Sequence, residues 1–273
     1  MAGQETEYGA SEVNAARSVI IELIHILGEY REHLVLVGGW IPGLLIEDAP
    51  EKHIGSADVD LALNHKSLQE AGYETIERLL VDHGYRKVEG VPFQYHRTVG
   101  GMTVQVDLLA GEYGGTGERR RHQRVQDVMP RKARGCDLAF EIGCQQVEMS
   151  GPLPDGAYDS VLVPITSVVP FIVMKSIALN SRLKPRDAYD LWYCFRYYPG
   201  GVDALVEAFE PHKHHGLVSE AFGYLNQHFG NIEGIGPRYA ATFIDSLSSD
   251  EQELRQRDAY ERVNYVLGAL QSD

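Results

Sequence analysis

Apolar positions recur at helical spacing across residues 11–29. Val13, Ala16, Val19, Ile20, Leu23, Ile24 and Leu27 share one face, and Gly28 stands near the end. The period then changes. "HLVLV" at 33–37 is a continuous apolar run ending at Gly38–Gly39, which predicts a buried strand and a tight turn. "WIPGLLIED" resumes as a helix opening after the glycines, with Pro42 in its first turn. "ADVDLAL" predicts a second strand, and 66–82 an amphipathic helix that stops before Gly84. "YRKVE", "FQYHRTV" and "MTVQVDLLA" alternate around turn signals at Gly90-Val91-Pro92 and Gly100-Gly101, so they predict short antiparallel strands. "CDLAFEIG", "CQQVEMSG" and "SVLVPIT" read as further strands.

From about residue 165 the pattern is helical. "ITSVVPFIVMKSIALNSR", "PRDAYDLWYCFRYY", "VDALVEAFE", "GLVSEAFGYLNQHF" and 250–270 each predict a helix. The expected fold class is α+β, with residues 1–164 as a sheet-containing core carrying extra hairpins and residues 165–273 as a helical C-terminal domain.

Composition narrows the class. The chain has 273 residues, 44% of them hydrophobic, enough for a sizeable core. No window approaches the roughly 18 apolar residues of a membrane span, and the polar N-terminus carries no signal-peptide pattern. Cys136, Cys144 and Cys194 form no CxxC pair, which suits reduced thiols. The expectation is a cytoplasmic protein without a membrane partner. A net charge of −14 argues against a broad nucleic-acid-coating face. The cations do cluster, in "ERRRHQR" at 118–124 and "RKAR" at 131–134. That cluster is either a solvated loop or a local contact for a polyanion.

Asp58 and Asp60 change the picture further. At i and i+2 of a strand they project to one face, where two like charges repel. A divalent cation removes the conflict, and Mg²⁺ commonly takes one or two carboxylates plus phosphates and water. Asp107 sits in another apolar strand, so a neighbouring register brings three carboxylates together. Such a set suits two-metal phosphoryl or nucleotidyl transfer. Gly38 and Gly39, at a strand end before a helix, offer backbone N–H groups to a triphosphate. A dinucleotide-binding fold also places an acidic residue about 20 residues after its glycines. Here the glycines read G-G-x-x-x-G and the chain then turns antiparallel, which disfavours that fold.

The order of Gly38–Gly39, Asp58-x-Asp60 and Asp107 resembles the DNA polymerase β-type nucleotidyltransferase superfamily. "KSIALNSRLKPRDAYDL" at 175–191 is similar to the AbiEii/AbiGii toxin family, in which a Lys precedes an Arg-Asp-x-x-Asp helix motif. The resemblance spans roughly 34–195, and its one departure is GG where the family often has GS. It implies a mixed sheet flanked by helices with a helical C-terminal part. It also implies Mg²⁺-dependent transfer of a nucleoside monophosphate from a nucleoside triphosphate, with Mn²⁺ as a substitute ion. The implied acceptor is a hydroxyl such as the 3′ end of tRNA, and the implied setting is a toxin–antitoxin or phage-defence pair with a cognate antitoxin. Asp58, Asp60 and Asp107 are then metal ligands and catalytic residues, and Gly38 and Gly39 hold the nucleotide.

The helical motif reads consistently. Lys175 interrupts an apolar helix, and Arg182 follows two turns later. Lys175 with Arg182 or Arg186 supplies cations for a triphosphate, and Asp190 accepts a proton or orients those cations. Asp187, near a helix start, also reads as a cap. The aromatic run 192–198 suits core packing more than base stacking, and "HKHH" at 212–215 suits an exposed turn more than a metal site. Two other functions use the same residues: transfer to a small-molecule hydroxyl, and nucleotide binding without catalysis. The acidic net charge leans toward the former over an RNA acceptor.

Overall fold

The computed structural model describes residues 9–68, 75–112, 122 and 124–271. Helix α1 (Ala10–Ile26) follows from the apolar stripe already noted, and its Val19, Ile20, Leu23 and Ile24 are buried. Glu12 accepts from the Gly9 N–H at 3.1 Å, satisfying one donor at the helix start. A 3₁₀ segment then leads into β1 (Leu34–Val37), whose four residues are all buried, as befits a central strand. After a 3₁₀ turn over Gly38–Trp40, helix α2 (Ile41–Leu45) lasts only five residues, shorter than its apolar pattern suggests.

The remaining sheet elements are β2 (Val59–Leu63), α3 (Ile76–Asp82), β3 (Arg86–Val88), β4 (Val91–Val99), β5 (Met102–Ala110), β6 (Arg131–Lys132), α4 (Leu138–Glu141), β7 (Cys144–Pro152) and β8 (Tyr158–Thr166). They form one mixed eight-stranded sheet in the order β3-β4-β5-β2-β1-β8-β7, with β6 on β5. β2 runs antiparallel to β1 and parallel to β5, and β1 runs parallel to β8. β3, β4 and β5 form the expected antiparallel meander, and β7 with β8 a long hairpin.

Two local expectations are corrected. "CDLAFEIG" is not a strand: residues 138–141 form α4, between Gly135 and Gly143, both at positive φ. Leu, Ala and Glu favour a helix, and a short buried run carries no decisive period. The helix expected over 66–82 starts at Ile76, where the Thr75 hydroxyl accepts from the Arg78 N–H, while 65–67 form a turn. Residues 69–74 lie outside the described set.

Arg97 fixes which face of the sheet α1 covers. It stands opposite Val104 in the β4–β5 register and reaches Glu22 of α1 with two hydrogen bonds of 2.8 and 2.9 Å. The Val104–Val106–Leu108 face of β5 is therefore the face under α1, and all three are buried. Residues of β5 at odd positions, Asp107 among them, point to the opposite face.

The chain divides into two compact units. The sheet unit comprises the described part of Tyr8–Leu44 with Ile54–Ser167. The helical unit joins Leu45–His53 to the chain from Val168 onward. Its helices are α5 (Val168–Arg182), α6 (Pro185–Tyr197), α7 (Gly201–Phe209), α8 (Gly216–Phe229), α9 (Ile235–Thr242) and α10 (Ser249–Gln271). Pro185 opens α6 where a missing N–H costs nothing. Phe171, Tyr189, Tyr193, Phe195, Phe209 and Phe229 fill the core. Helix α9 had no sequence signal, because Gly236 and Pro237 interrupt its pattern. Gly236 is there because a side chain would strike the Phe229 ring.

Candidate active site

The register of the sheet assembles a polar row. Gln94 of β4, Asp107 of β5, Asp60 of β2 and Val37 of β1 are successive cross-strand partners. Adjacent strands lie about 4.8 Å apart, so the Asp60 and Asp107 side chains are neighbours on the face away from α1. Asp107 is buried, and its Oδ1 accepts from Gln94 Nε2 at 2.9 Å and Gln105 Nε2 at 3.1 Å. These amides orient the carboxylate. Among the described residues no donor reaches Asp107 Oδ2, which leaves that oxygen for a cation or a proton.

Asp60 abuts the glycine turn. A side-chain carbon at Gly38 would collide with the Asp60 carboxylate, and Gly38 has φ +78°. The position therefore needs glycine twice over, for conformation and for space. A left-handed residue followed by a right-handed turn directs successive N–H groups to one side, an arrangement that binds anions. The five-residue α2 has little dipole to add, so the turn itself is the anion-binding part. Asp58 stands one residue before β2 and is exposed, and its carbonyl accepts from the Trp40 indole at 3.1 Å.

The donor set can be tested against Mg²⁺. Among the described residues no group of three or more His, Cys, Asp or Glu side chains is gathered tightly enough to hold a metal. Asp60 and Asp107 are instead two neighbouring carboxylates beside an anion-binding turn. That set fits Mg²⁺ bound through one or two carboxylates, with phosphates and water completing its shell.

Cys136 is fully buried behind this row. Burial, with the charges of Asp137 and Asp60, pushes its thiol well up, so it is not a nucleophile. The three cysteines are free thiols. Of the basic segment, residues 118–121 and 123 lie outside the described set. Arg131 lies over the Phe93 ring at 5.2 Å and Arg134 pairs with Glu112 at 3.3 Å.

In the helical unit, the K…RDxxD residues form a buried ion network. Lys175 Nζ lies 3.1 Å from Asp187 Oδ1 and 2.7 Å from Asp190 Oδ2. Arg182 grips Asp187 with two hydrogen bonds of 2.6 Å, and Arg186 lies 3.8 Å from Asp190. Asp187 is thus an ion-pair partner and no cap. Burial disfavours both carboxylates, but Lys175, joined by Arg182 at Asp187 and by His53 and Arg186 at Asp190, holds them below the ordinary carboxylate range. Burial likewise opposes the Lys175 ammonium, and the charges of Asp190 and Asp187 outweigh it. The turn between α5 and α6 places Leu183 at φ +50°, the bend that returns Asp187 to Arg182. Trp192, Tyr193 and Phe195 are core residues, and His215 caps α8 from an exposed turn.

Sequence reasoning missed three participants. Gln105 was signalled by its i−2 spacing from Asp107 on one strand face. Gln94 depended on hairpin register, and His53, 3.0 Å from Asp190, had no local signal at all.

The model of the nucleotidyl transferase AbiEii toxin family, type IV toxin–antitoxin system, matches residues 56–263. The match includes Asp58, Asp60, Asp107, Lys175 and the RDxxD residues, and starts after Gly38–Gly39 and His53. No curated protein and no solved structure matches the chain. No described helix is long and apolar enough to cross a membrane. Spanning more than half of the sequence, the match shows that the chain belongs to the nucleotidyl transferase AbiEii toxin family of type IV toxin–antitoxin systems.

Proposed function

We propose that the protein transfers a nucleoside monophosphate from a nucleoside triphosphate to an acceptor hydroxyl, with the tRNA 3′ end as acceptor, and that a cognate antitoxin counters it. The observation that carries the proposal is the pairing of Asp60 with Asp107 beside the Gly38 turn. A carboxylate against an anion-binding turn repels a phosphate unless a cation stands between them.

Asp60 and Asp107 would hold Mg²⁺ or Mn²⁺, and Asp58, one residue before β2, would complete the set only by moving toward the bound ion. When bound, the ion supplies charge neutralisation on the phosphates and a more acidic acceptor hydroxyl. The Gly38–Gly39 N–H groups hold the triphosphate. Lys175, Arg182 and Arg186 are assigned to the phosphates and Asp190 to the orientation of those cations, following the motif they match. The acceptor oxygen forms a bond to the α-phosphorus, and the bond from that phosphorus to the bridging oxygen breaks. Pyrophosphate leaves, and Asp107 Oδ2 takes the hydroxyl proton. Gln94 and Gln105 keep the carboxylate turned for this work.

The test is incubation with each α-labelled nucleoside triphosphate, Mg²⁺ and total tRNA. Label enters RNA with the wild type. Asp60→Asn and Asp107→Asn lower the rate at least about a hundredfold, and EDTA abolishes it. Equal transfer by wild type and Asp60→Asn overturns the assignment, and label entering only small-molecule alcohols redirects the acceptor.

A further inference from the structure

The basic segment has no part in the proposed chemistry, but its described end folds beside Asp107. The β4–β5 ladder runs from the Gln94–Asp107 pair to the Val99–Met102 pair. β6 pairs with β5 past the Asp107 end, Arg131 with Leu109 and Lys132 with Ala110. β2 holds the other edge of β5 as far as Ala110, so β6 continues the sheet on the β4 side. Two residues of strand span about 6.6 Å and neighbouring strands lie about 4.8 Å apart, which sets the Arg131 Cα about 8 Å from that of Asp107.

Phe93 stands at this junction. It is one residue outside the β4–β5 ladder and next to Gln94, which donates to Asp107 Oδ1. Its ring stacks on His122, with centroids 5.7 Å and planes 27° apart, and the Arg131 guanidinium lies over it at 5.2 Å. An antiparallel bridge to Arg131 brings His122 in. Both rings are half-buried and Arg131 is exposed, as is Met129 two residues before it, at 42%.

In a chain of net charge −14 this edge is cationic. Among the described residues Arg124, Arg131 and Lys132 make no ion pair. The carboxylates around them are engaged: Glu112 pairs with Arg134 at 3.3 Å, and Asp127 Oδ1 accepts from the Glu77 N–H at 3.1 Å. Rings interleaved with unpaired cations suit a single-stranded nucleic acid. Its bases stack on aromatic and guanidinium planes, and its phosphates take the charges. An acidic peptide would use the cations and leave the ring stack without a role.

We propose that Phe93, His122, Arg131 and Lys132 bind the single-stranded end of the acceptor RNA: a base stacks on the His122–Phe93 pair, and Arg131 and Lys132 take the flanking phosphates. The site lies wholly within the sheet unit. It rests on the reading of RNA as acceptor and of Asp107 as the carboxylate that takes the hydroxyl proton.

The experiment follows binding of a fluorescein-labelled single-stranded RNA octamer by anisotropy, without nucleotide or metal, over a series of KCl concentrations. The wild type binds, with log K falling linearly against log salt. The double variant Arg131→Gln, Lys132→Gln makes that line shallower by about 1.4, the loss of two phosphate contacts at about 0.7 each. His122→Ala weakens binding at least about fivefold at every salt concentration and leaves the slope unchanged. His122→Phe, which keeps a ring, binds within about twofold of wild type. In transfer assays on tRNA, His122→Ala shows as a raised KM for RNA, with kcat and the nucleotide KM within about twofold of wild type. No octamer binding by the wild type, an unaltered slope in the double variant, or equal binding by wild type and His122→Ala overturns the site. Label transfer to tRNA alongside any of those results leaves the functional reading standing. Salt-dependent and His122-dependent binding by a wild type that transfers no label upholds RNA binding at β6 and defeats the functional reading.

Discussion

At the scale of single residues, Gly38 joins backbone geometry to chemistry. Its φ of +78° costs an L-residue about 1–2 kcal/mol. Its missing side chain is also the space in which the Asp60 carboxylate sits. Gly38→Ala is expected to destabilise the sheet unit by at least that amount and to remove transfer activity by displacing Asp60. Urea denaturation of the variant checks the first part, and label transfer well below its midpoint checks the second. Full activity with unchanged stability would show that the turn tolerates a side chain and that Asp60 moves freely.

At the scale of elements, the α5–α6 pair rests on charge as much as on apolar packing. Lys175, Asp187 and Asp190 are almost excluded from water. Such a group contributes little net stability while complete, because desolvation consumes the attraction between its members. Removing one member leaves a buried charge without its counter-charge. Lys175→Met is expected to destabilise the protein by about 3–5 kcal/mol. Asp60→Asn, at a half-exposed strand position, should change the unfolding midpoint little. Parallel urea melts test the contrast. A Lys175→Met protein as stable as wild type would mean that the two aspartates find other cations, with Arg182 and Arg186 at hand.

At the scale of the whole molecule, the buried ionisable groups set an acid limit. Asp187 and Asp190 have pKa values below the ordinary carboxylate value of 3.8. Depressed carboxylates contribute stability above that value and lose it as pH falls through the folded one. His53 is held below its ordinary value of 6.5. Its unfolded form binds a proton first, so stability is lost as pH drops from 6.5 toward the folded value. Lys175, raised above 10.5, keeps its contribution at neutral pH and loses it only in strong alkali. The melting temperature should therefore be level from about pH 7 to the ordinary thiol value of 9.0, fall above it as the buried Cys136 and Cys194 would ionise on unfolding, and decline below pH 6.5. His53→Gln should flatten the first part of that decline. A decline of the same shape in the variant would assign it to other groups.

The same scales separate what was legible in the amino-acid chain from what was not. The helices of the C-terminal half other than α9, the meander at 86–110 and the strands within 144–166 follow from apolar period and turn residues, which act between near neighbours. Where the period ran short it misled, as at α4 and at the late start of α3. The carboxylates, the glycine pair and the K…RDxxD order were visible because each depends on residue type and local spacing. Their partners were not. Asp60 stands beside Asp107 because β2 pairs with a strand more than forty residues later, and Gln94 joins them by hairpin register. His53 meets Asp190 because Leu45–His53 belongs to the helical unit although it precedes β2 in sequence. The sequence alone thus determined the local elements and the chemical inventory of the site. Only the tertiary structure decided which donors orient which carboxylates, because strand pairing and burial are choices among distant partners, made by the whole core at once.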